Sequence, residues 1–286
     1  MYKICLTGAT GFIGNFFLNN LKKNFEVFVI KKKLYKRNLI TGRNIKNLAN
    51  FFKKKKIKLV INVASFYSLD ERIYGGGGKL SSNLDNFCKL YNANYKFGVD
   101  LLAACNESNV KYFINISTKM TSYKKIILYA FIKKQFEDFL KYFSSQNKIK
   151  YLNIKIPNII GKEDRRDKLF NLLKKLKNNS SIKMTNGRQK IEILHIDDVM
   201  QVVLRAINLL RSGKYYNKTY YLNSKYIVSV KIFCLICCRL MNKKIHFKWS
   251  AFKNRTNDYF NSKLFQPSFP NFKQVHDLKT SILRSL

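Results

Sequence analysis

Tyr129 and Lys133 stand four residues apart in a stretch patterned as a helix, and positions i and i+4 of a helix share one face. That spacing brings a phenol and an ammonium together. A cation beside a phenol favours the phenolate, so the pair is suited to giving and taking a proton; the plainer alternative is a surface pair. Upstream, Ser117 and Thr118 close an apolar β-run, Tyr112 to Ser117. Successive strand residues face opposite sides. One hydroxyl is therefore expected in the core and the other at a site, where it can hydrogen-bond an oxygen on which charge develops. A third group lies at the N-terminus, where Thr7-Gly8-Ala9-Thr10-Gly11-Phe12-Ile13-Gly14 sets three glycines between a β-run and a helical stretch. Backbone N–H groups and a helix N-terminus there suit a pyrophosphate, with an ordinary tight turn as the alternative.

The elements that must position these groups alternate. Tyr2 to Thr7, Phe25 to Ile30, Lys58 to Ala64, Tyr112 to Ser117 and Tyr151 to Ile156 read as strands, separated by helical patterns at Asn15 to Lys23 and near 44–56, 94–109 and 129–145. Strand–helix alternation means a parallel sheet covered on both faces. Beyond Ile156 it thins: a basic amphipathic stretch at 163–178, a turn at Asn186-Gly187, a helix at about 197–212, a strand near 219–223 and a Cys-bearing helix from Val228 to Met241. The tail from about 250 is irregular, and Gly75 to Gly78 reads as a loop. His195-Ile196-Asp197-Asp198 reads as a helix start in which an Asp side chain caps the first N–H groups.

Composition narrows the class. With 286 residues, 46% of them hydrophobic, the chain can bury a substantial core, and no apolar run approaches the length of a membrane span, so a cytoplasmic, folded protein is expected. Lys+Arg number 55 against 16 Asp+Glu, a net charge of +39. Such a balance suits a polyanion, but the lysines are spread along the whole chain among Asn, Ile, Phe and Tyr. Compositional drift accounts for that better, and nucleic acid is not expected as a partner. Lys53 to Lys56 beside Phe51 and Phe52 fit the solvated end of a helix. Of six cysteines only Cys234, Cys237 and Cys238 cluster, as buried thiols of an apolar helix; His195, His246 and His276 are isolated in sequence, and no metal site is expected.

Taken in order, the motifs resemble those of the extended short-chain dehydrogenase/reductase family, of the NAD-dependent epimerase/dehydratase type. The glycine turn is similar to its TGxxGxxG, Asn62-Val63-Ala64-Ser65 to its NxAA strand end, and Asn94 with Gly98 and Leu101-Leu102 to its N..G..NLL helix. Ser117-Thr118 resembles its catalytic strand end, Tyr129 to Lys133 its YxxxK, Pro157 to Gly161 its NxYG and His195 to Val199 its HVDDV. The nearest look is to nucleotide-sugar 4-ketoreductases of the abequose-synthase kind.

The resemblance implies an α/β fold, a Rossmann-like doubly wound parallel sheet with a smaller C-terminal α+β substrate lobe. The Rossmann domain is expected over 1–156, with about 196–225 returning to it, and the substrate lobe over 157–195 and 226–286. It implies catalysis by Thr118, Tyr129 and Lys133, with Ser117 the alternative hydroxyl. Cofactor contacts are implied at Gly8, Thr10, Gly11, Phe12, Ile13, Gly14, Lys31, Ala64, Asn94, Tyr129, Lys133 and Pro157, and substrate contacts at Ser65, Asn158, Arg188 and Lys190. Two positions depart from the family. Ile191 stands where an Arg often meets the substrate diphosphate, and Lys31-Lys32-Lys33 stand where NAD-selective members carry an acid, so NADP(H) is favoured with NAD(H) possible. The implied activity is NADP(H)-dependent reduction of a nucleotide-activated 4-keto-6-deoxy sugar by a homodimer. A 4-epimerase or dehydratase is the enzymatic alternative, and a non-catalytic Rossmann-fold RNA-binding protein the alternative of another class.

Overall fold

The computed structural model describes residues 1–30, 41–67, 84–122, 127–162, 164, 169–213, 215–253 and 267–286. Lys31 to Lys33 and Gly75 to Gly78 lie outside them. The chain forms two compact units, Met1–Lys155 with Val202–Tyr220, and Ile156–Gln201 with Tyr221–Leu286.

The first unit holds a six-stranded sheet in the order β2-β1-β3-β4-β5-β9. Its strands are β1 (Lys3–Leu6), β2 (Glu26–Val29), β3 (Leu59–Asn62), β4 (Tyr112–Thr118), β5 (Lys150–Ile156) and β9 (Lys218–Tyr221). The pairs β1 with β2, β1 with β3 and β3 with β4 are parallel, so the α/β class expected from alternation is the one formed. All four β3 residues are buried, as befits a central strand covered on both faces. The helices are α1 (Phe12–Leu21), α2 (Thr41–Lys55), α3 (Leu84–Tyr91), α4 (Phe97–Glu107) and α5 (Leu128–Gln146). Phe52, Leu101, Phe113, Phe136 and Leu140 centre one face of the core. Lys53, Lys54 and Lys55 end α2, where cations suit the negative end of the helix dipole.

The helix expected near 94–109 forms as α4, and one turn of π-helix, Asn92–Lys96, leads into it from α3; such turns are frequent where a helix serves a site. The cause lies in Asn94: its side-chain amide donates to Leu90 O at 2.9 Å and Phe66 O at 2.8 Å, fastening the helix to the segment after β3.

A hydrogen-bonded ladder runs beneath the carboxyl ends of the strands. Thr7 donates to Asn62 Oδ1 (2.8 Å), Asn62 to Asn115 Oδ1 (3.1 Å), Asn115 to Asn153 Oδ1 (2.8 Å) and Asn153 to Thr219 Oγ1 (3.4 Å). Bare amides buried this way would be costly, and linked donor-to-acceptor they fix strand register.

In the second unit β6 (Asn158–Ile160), β8 (Lys190–His195) and β10 (Ile227–Ser229) form a sheet in the order β10-β8-β6. The β8 strand is antiparallel to β10 and parallel to β6. β7 (Ser181–Lys183) pairs with β11 (His246–Lys248). Around them lie α6 (Leu169–Asn178), α8 (Val230–Leu240) and α9 (Leu278–Leu283), while α7 (Ile196–Arg211) begins in this unit and ends in the first. Leu176, Ile193, Phe233, Cys234, Cys237 and Ile282 make its core, so the cysteine cluster is packing. Among the described residues no helix is long and apolar enough to cross a membrane.

Candidate active site

The glycine turn follows β1 directly. Gly8 takes φ +70°, and a Cβ there would stand 2.8 Å from Ala64 N; one on Gly14 would stand 2.1 Å from Gly8 O. Neither position tolerates a side chain, because the turn is packed against the end of β3 and the first turn of α1. Thr7 Oγ1 accepts from the N–H groups of Val63 and Ala64 at 3.1 Å, holding the two strand ends together. At the start of α1 Gly11 provides no capping side chain, and the first turn carries no acid. Thr10 and Gly11 are exposed and Phe12 and Ile13 half-buried. Helix N–H groups uncapped by a side chain, with no carboxylate beside them, fit the negatively charged phosphates of a dinucleotide.

Ala64 leads to Ser65, and Ser65 reaches Tyr129. The Ser65 hydroxyl donates to Asn94 Oδ1 at 2.8 Å and lies 3.3 Å from Tyr129 Oη. Since its one proton is committed to Asn94, the neutral phenol is the donor in the Tyr129 contact. The amide N–H of Phe66 also donates to Asn94 Oδ1. Asn94 thus orients Ser65, and Ser65 orients the phenol. Tyr67 packs edge-on against the Tyr129 ring, centroids 5.0 Å apart, and Tyr129 is buried. One turn along α5, Lys133 is also buried and donates to Ile116 O of β4 at 3.4 Å. The i, i+4 geometry turns phenol and ammonium to the strand ends rather than to solvent.

Ser117 and Thr118 part as strand alternation requires. Ser117 is buried and donates to Glu137 Oε1, which also accepts from Thr121 Oγ1 at 3.2 Å. The other Glu137 oxygen pairs with Lys155 Nζ at 2.7 Å, both side chains nearly inaccessible, and Lys155 further donates to Ser122 Oγ at 3.1 Å. Thr118 is half-buried and accepts from Met120 N at 3.3 Å through Oγ1. Sequence reasoning missed Glu137 and Lys155. The available signal was position: Glu137 follows Lys133 by four residues and so continues the Tyr129–Lys133 face of α5.

The remaining candidates lie in the second unit. Pro157 and Asn158 are half-buried, and Asn158 donates to Glu192 O at 3.1 Å. Arg188 and Lys190 are exposed at the turn into β8. Ile191 packs against the apolar core of this unit, consistent with an apolar residue where the family carries Arg. Lys31 lies outside the described residues.

The cap expected from an Asp at the start of α7 is made by His195 instead. Its Nδ1 accepts from Asp197 N at 3.3 Å, while both carboxylates turn to the C-terminal segment: Asp197 Oδ2 to Arg284 Nη1 at 2.8 Å and Asp198 Oδ1 to Val275 N at 2.8 Å. The carboxylates are taken by tertiary donors from the tail, a charged guanidinium and a backbone N–H, in place of the free N–H groups of the helix start. Burial pushes the His195 imidazole toward the neutral form, against the pull of Asp197.

A model of the NAD dependent epimerase/dehydratase family matches residues 4–219. A CDP-abequose synthase of Salmonella muenchen is 25% identical over 217 residues, covering 72% of this chain and 70% of that protein. One of Yersinia pseudotuberculosis is 26% identical over 231 residues, covering 76% and 77%. The structure of a UDP-glucuronic acid 4-epimerase from Bacillus cereus, in complex with UDP-glucuronic acid and NAD, aligns with a TM-score of 0.79 at 17% identity, across 99% of this chain and 97% of that one, which is a likeness of fold. The family match takes in the glycine turn, the end of β4 and the Tyr129–Lys133 pair: the chain belongs to the NAD dependent epimerase/dehydratase family and is an NAD(P)-dependent enzyme of the extended short-chain dehydrogenase/reductase type.

Proposed function

We propose that this protein is an NADP(H)-dependent oxidoreductase that reduces the 4-keto group of a nucleotide-activated 6-deoxy sugar. One observation supports the reading: Gly8 packs on Ala64, and the next residue, Ser65, touches Tyr129 Oη, which links the glycine turn to the proposed acid–base pair through neighbouring residues. The names of the relatives, CDP-abequose synthases, support a nucleotide-sugar substrate, and the Bacillus cereus structure pairs the same fold with a UDP-sugar and NAD.

In this reading Gly8, Thr10, Gly11, Phe12, Ile13 and Gly14 receive the dinucleotide phosphates, with Ala64, Asn94, Lys133 and Pro157 along the rest of the cofactor. A bound nicotinamide supplies the hydride. Tyr129 gives its proton to the sugar oxygen as the carbonyl is reduced, and the Lys133 ammonium stabilises the phenolate left behind. Thr118, whose hydroxyl is not consumed by Glu137, hydrogen-bonds the same oxygen where negative charge develops. Ser65 and Asn158 position the sugar, and Arg188 or Lys190 supplies the cation for the diphosphate that Ile191 does not. The first unit serves as the cofactor domain and the second as the substrate lobe.

The NADP(H) preference rests on the absence of any acid just after β2 and on Lys31, a candidate partner of the 2′-phosphate. The homodimer rests on a ladder of rings, Phe87, Tyr91, Tyr95, Phe139 and Phe143, running from α3 through the π-turn to α5, with Tyr91 exposed; a second copy of the chain covers it, which light scattering at working concentration tests.

The deciding experiment incubates the protein with NADPH or NADH and a panel of CDP-, dTDP-, GDP- and UDP-linked 4-keto-6-deoxy sugars, following absorbance and identifying the product. Stoichiometric NADPH oxidation with formation of a 4-hydroxy sugar supports the reading. Interconversion of C4 epimers of a UDP-sugar without net oxidation makes it an epimerase, and sequence-selective RNA binding with no turnover rejects the enzymatic reading.

A further inference from the structure

His195 and His276 are far apart in sequence, yet their rings meet with centroids 4.9 Å apart at the start of α7. Asp197 lies between them. Its Oδ2 is 3.2 Å from His195 Nδ1 and 3.6 Å from His276 Nε2, and the three ligand-type atoms lie within 4.8 Å of one another. Ligands bound tetrahedrally to one zinc ion at about 2.0–2.1 Å stand roughly 3.3 Å apart, so both spacings to the carboxylate lie within a few tenths of an ångström of what a shared cation needs.

The far side of His276 strengthens the case. Its Nδ1 faces Asp198 Oδ2 at 3.5 Å, and Asp198 is itself fixed by the bond from Val275 N and is almost wholly buried. A carboxylate behind one ring nitrogen, with the other nitrogen aimed at a second oxygen ligand, is how proteins orient metal-binding imidazoles. The site is also under-satisfied. His195 Nε2, His276 Nδ1 and Asp198 Oδ2 are buried atoms without a hydrogen-bond partner among the described residues, and His195 is 4% exposed. His195 Nε2 and His276 Nδ1 are the ring nitrogens turned away from Asp197 Oδ2, so they record an incompletely satisfied surround to the cluster rather than the position of the ion itself.

We propose that His195, Asp197 and His276 form a divalent transition-metal site, suited to Zn2+ by its two imidazoles and one carboxylate, in which the metal fastens the C-terminal segment to the start of α7. The group now on Asp197 Oδ2 is the guanidinium of Arg284, whose side chain is 56% exposed. Arg284 is therefore a resident cation that the metal displaces into solvent. The long Asp197 N–H contact to His195 Nδ1 yields the same lone pair.

The test uses the full-length protein after chelator treatment and dialysis, with Co2+ as the optical probe and Zn2+ as competitor. One Co2+ per chain is expected, with visible bands of low-coordinate nitrogen and oxygen ligation that Zn2+ abolishes. His276→Ala removes a ligand and weakens binding by more than the roughly tenfold that loss of an outer orienting group costs, and His246→Ala, at an exposed imidazole, leaves it unchanged. Arg284→Ala, on an accessible side chain, tightens it severalfold and keeps the proposal testable if the His276 variant does not fold. Absence of saturable binding, a thiolate-to-cobalt band, or affinity unmoved by Arg284→Ala overturns the proposal. None of these readouts depends on turnover.

Discussion

Ser117 Oγ lies 2.5 Å from Glu137 Oε1, inside the first unit and away from water. The bond decides which strand-end hydroxyl remains for chemistry, because a proton held by a buried carboxylate is not available to a substrate. Thr118→Ala is expected to lower kcat by about 10²–10³, the usual cost of losing a donor to a developing oxyanion, with little change in the thermal midpoint. Ser117→Ala is expected to do the reverse, costing roughly 1.5–3 kcal/mol of stability for a hydrogen bond to a charged group while kcat stays within a few-fold. Parallel kinetics and melting curves on the two variants check the division; a Ser117→Ala protein that melts normally but does not turn over would reverse it.

Tyr129→Phe removes the proton donor and leaves the ring that packs against Tyr67. A fall in kcat of about 10²–10⁴ is expected, with cofactor affinity and melting close to wild type. Single-turnover NADPH oxidation in the variant checks this, and wild-type kcat in a folded Tyr129→Phe protein rejects the assignment.

Lys155 and Glu137 form a buried ion pair below the site, their side chains 5% and 7% exposed. Removing one partner strands the other, so Lys155→Met is expected to destabilise by about 3–5 kcal/mol. Glu137 also carries Ser117 and Thr121, and for that reason Glu137→Leu in the Lys155→Met background restores only part of the loss. Urea unfolding of the two single variants and the double variant measures the coupling.

The alternation of apolar runs made the sheet legible, and the glycine turn and the Tyr129–Lys133 spacing made much of the site legible, because both are local patterns. What stayed hidden depends on partners distant in sequence. Asn115 and Asn153 read as polar interruptions of two strands until the sheet lines them up with Asn62 and Thr219. The π-turn at Asn92–Lys96 cannot be seen in a helical periodicity, since its cause is the carbonyl of Phe66. In the same way Asp197 and Asp198 look like helix caps until Val275 and Arg284 arrive from the tail.

Glycine at position 14 meets a stricter test than any helix propensity. A methyl group there would overlap Gly8 O, so Gly14→Ala has to open the turn away from α1. Loss of most dinucleotide affinity is expected, beyond the ~1 kcal/mol that Ala would otherwise contribute to a helix, and fluorescence titration with NADPH reads it. Unchanged affinity would show that the turn does not carry the phosphates.

The cysteines give a prediction about pH. Burial pushes the Cys234 thiol up to about 12, with Cys238 adding to the effect, and burial also raises Cys5, Cys105 and Cys237. Cys88 alone is exposed. A thiol reagent at pH 8 is therefore expected to titrate one cysteine quickly in the native protein and all six in denaturant. The same four buried thiols tie stability to pH. In the unfolded chain they ionise near ~8.5, whereas in the native protein they stay protonated, so their contribution is full below that value and is lost as pH rises toward the folded-state values. Each thiol costs about 1.4 kcal/mol between pH 7.5 and 9.5, and four together roughly 5 kcal/mol. Urea midpoints measured at the two pH values check the sign: stability must fall on the alkaline side, and a midpoint that holds or rises at pH 9.5 would mean that these thiols reach solvent in the native protein.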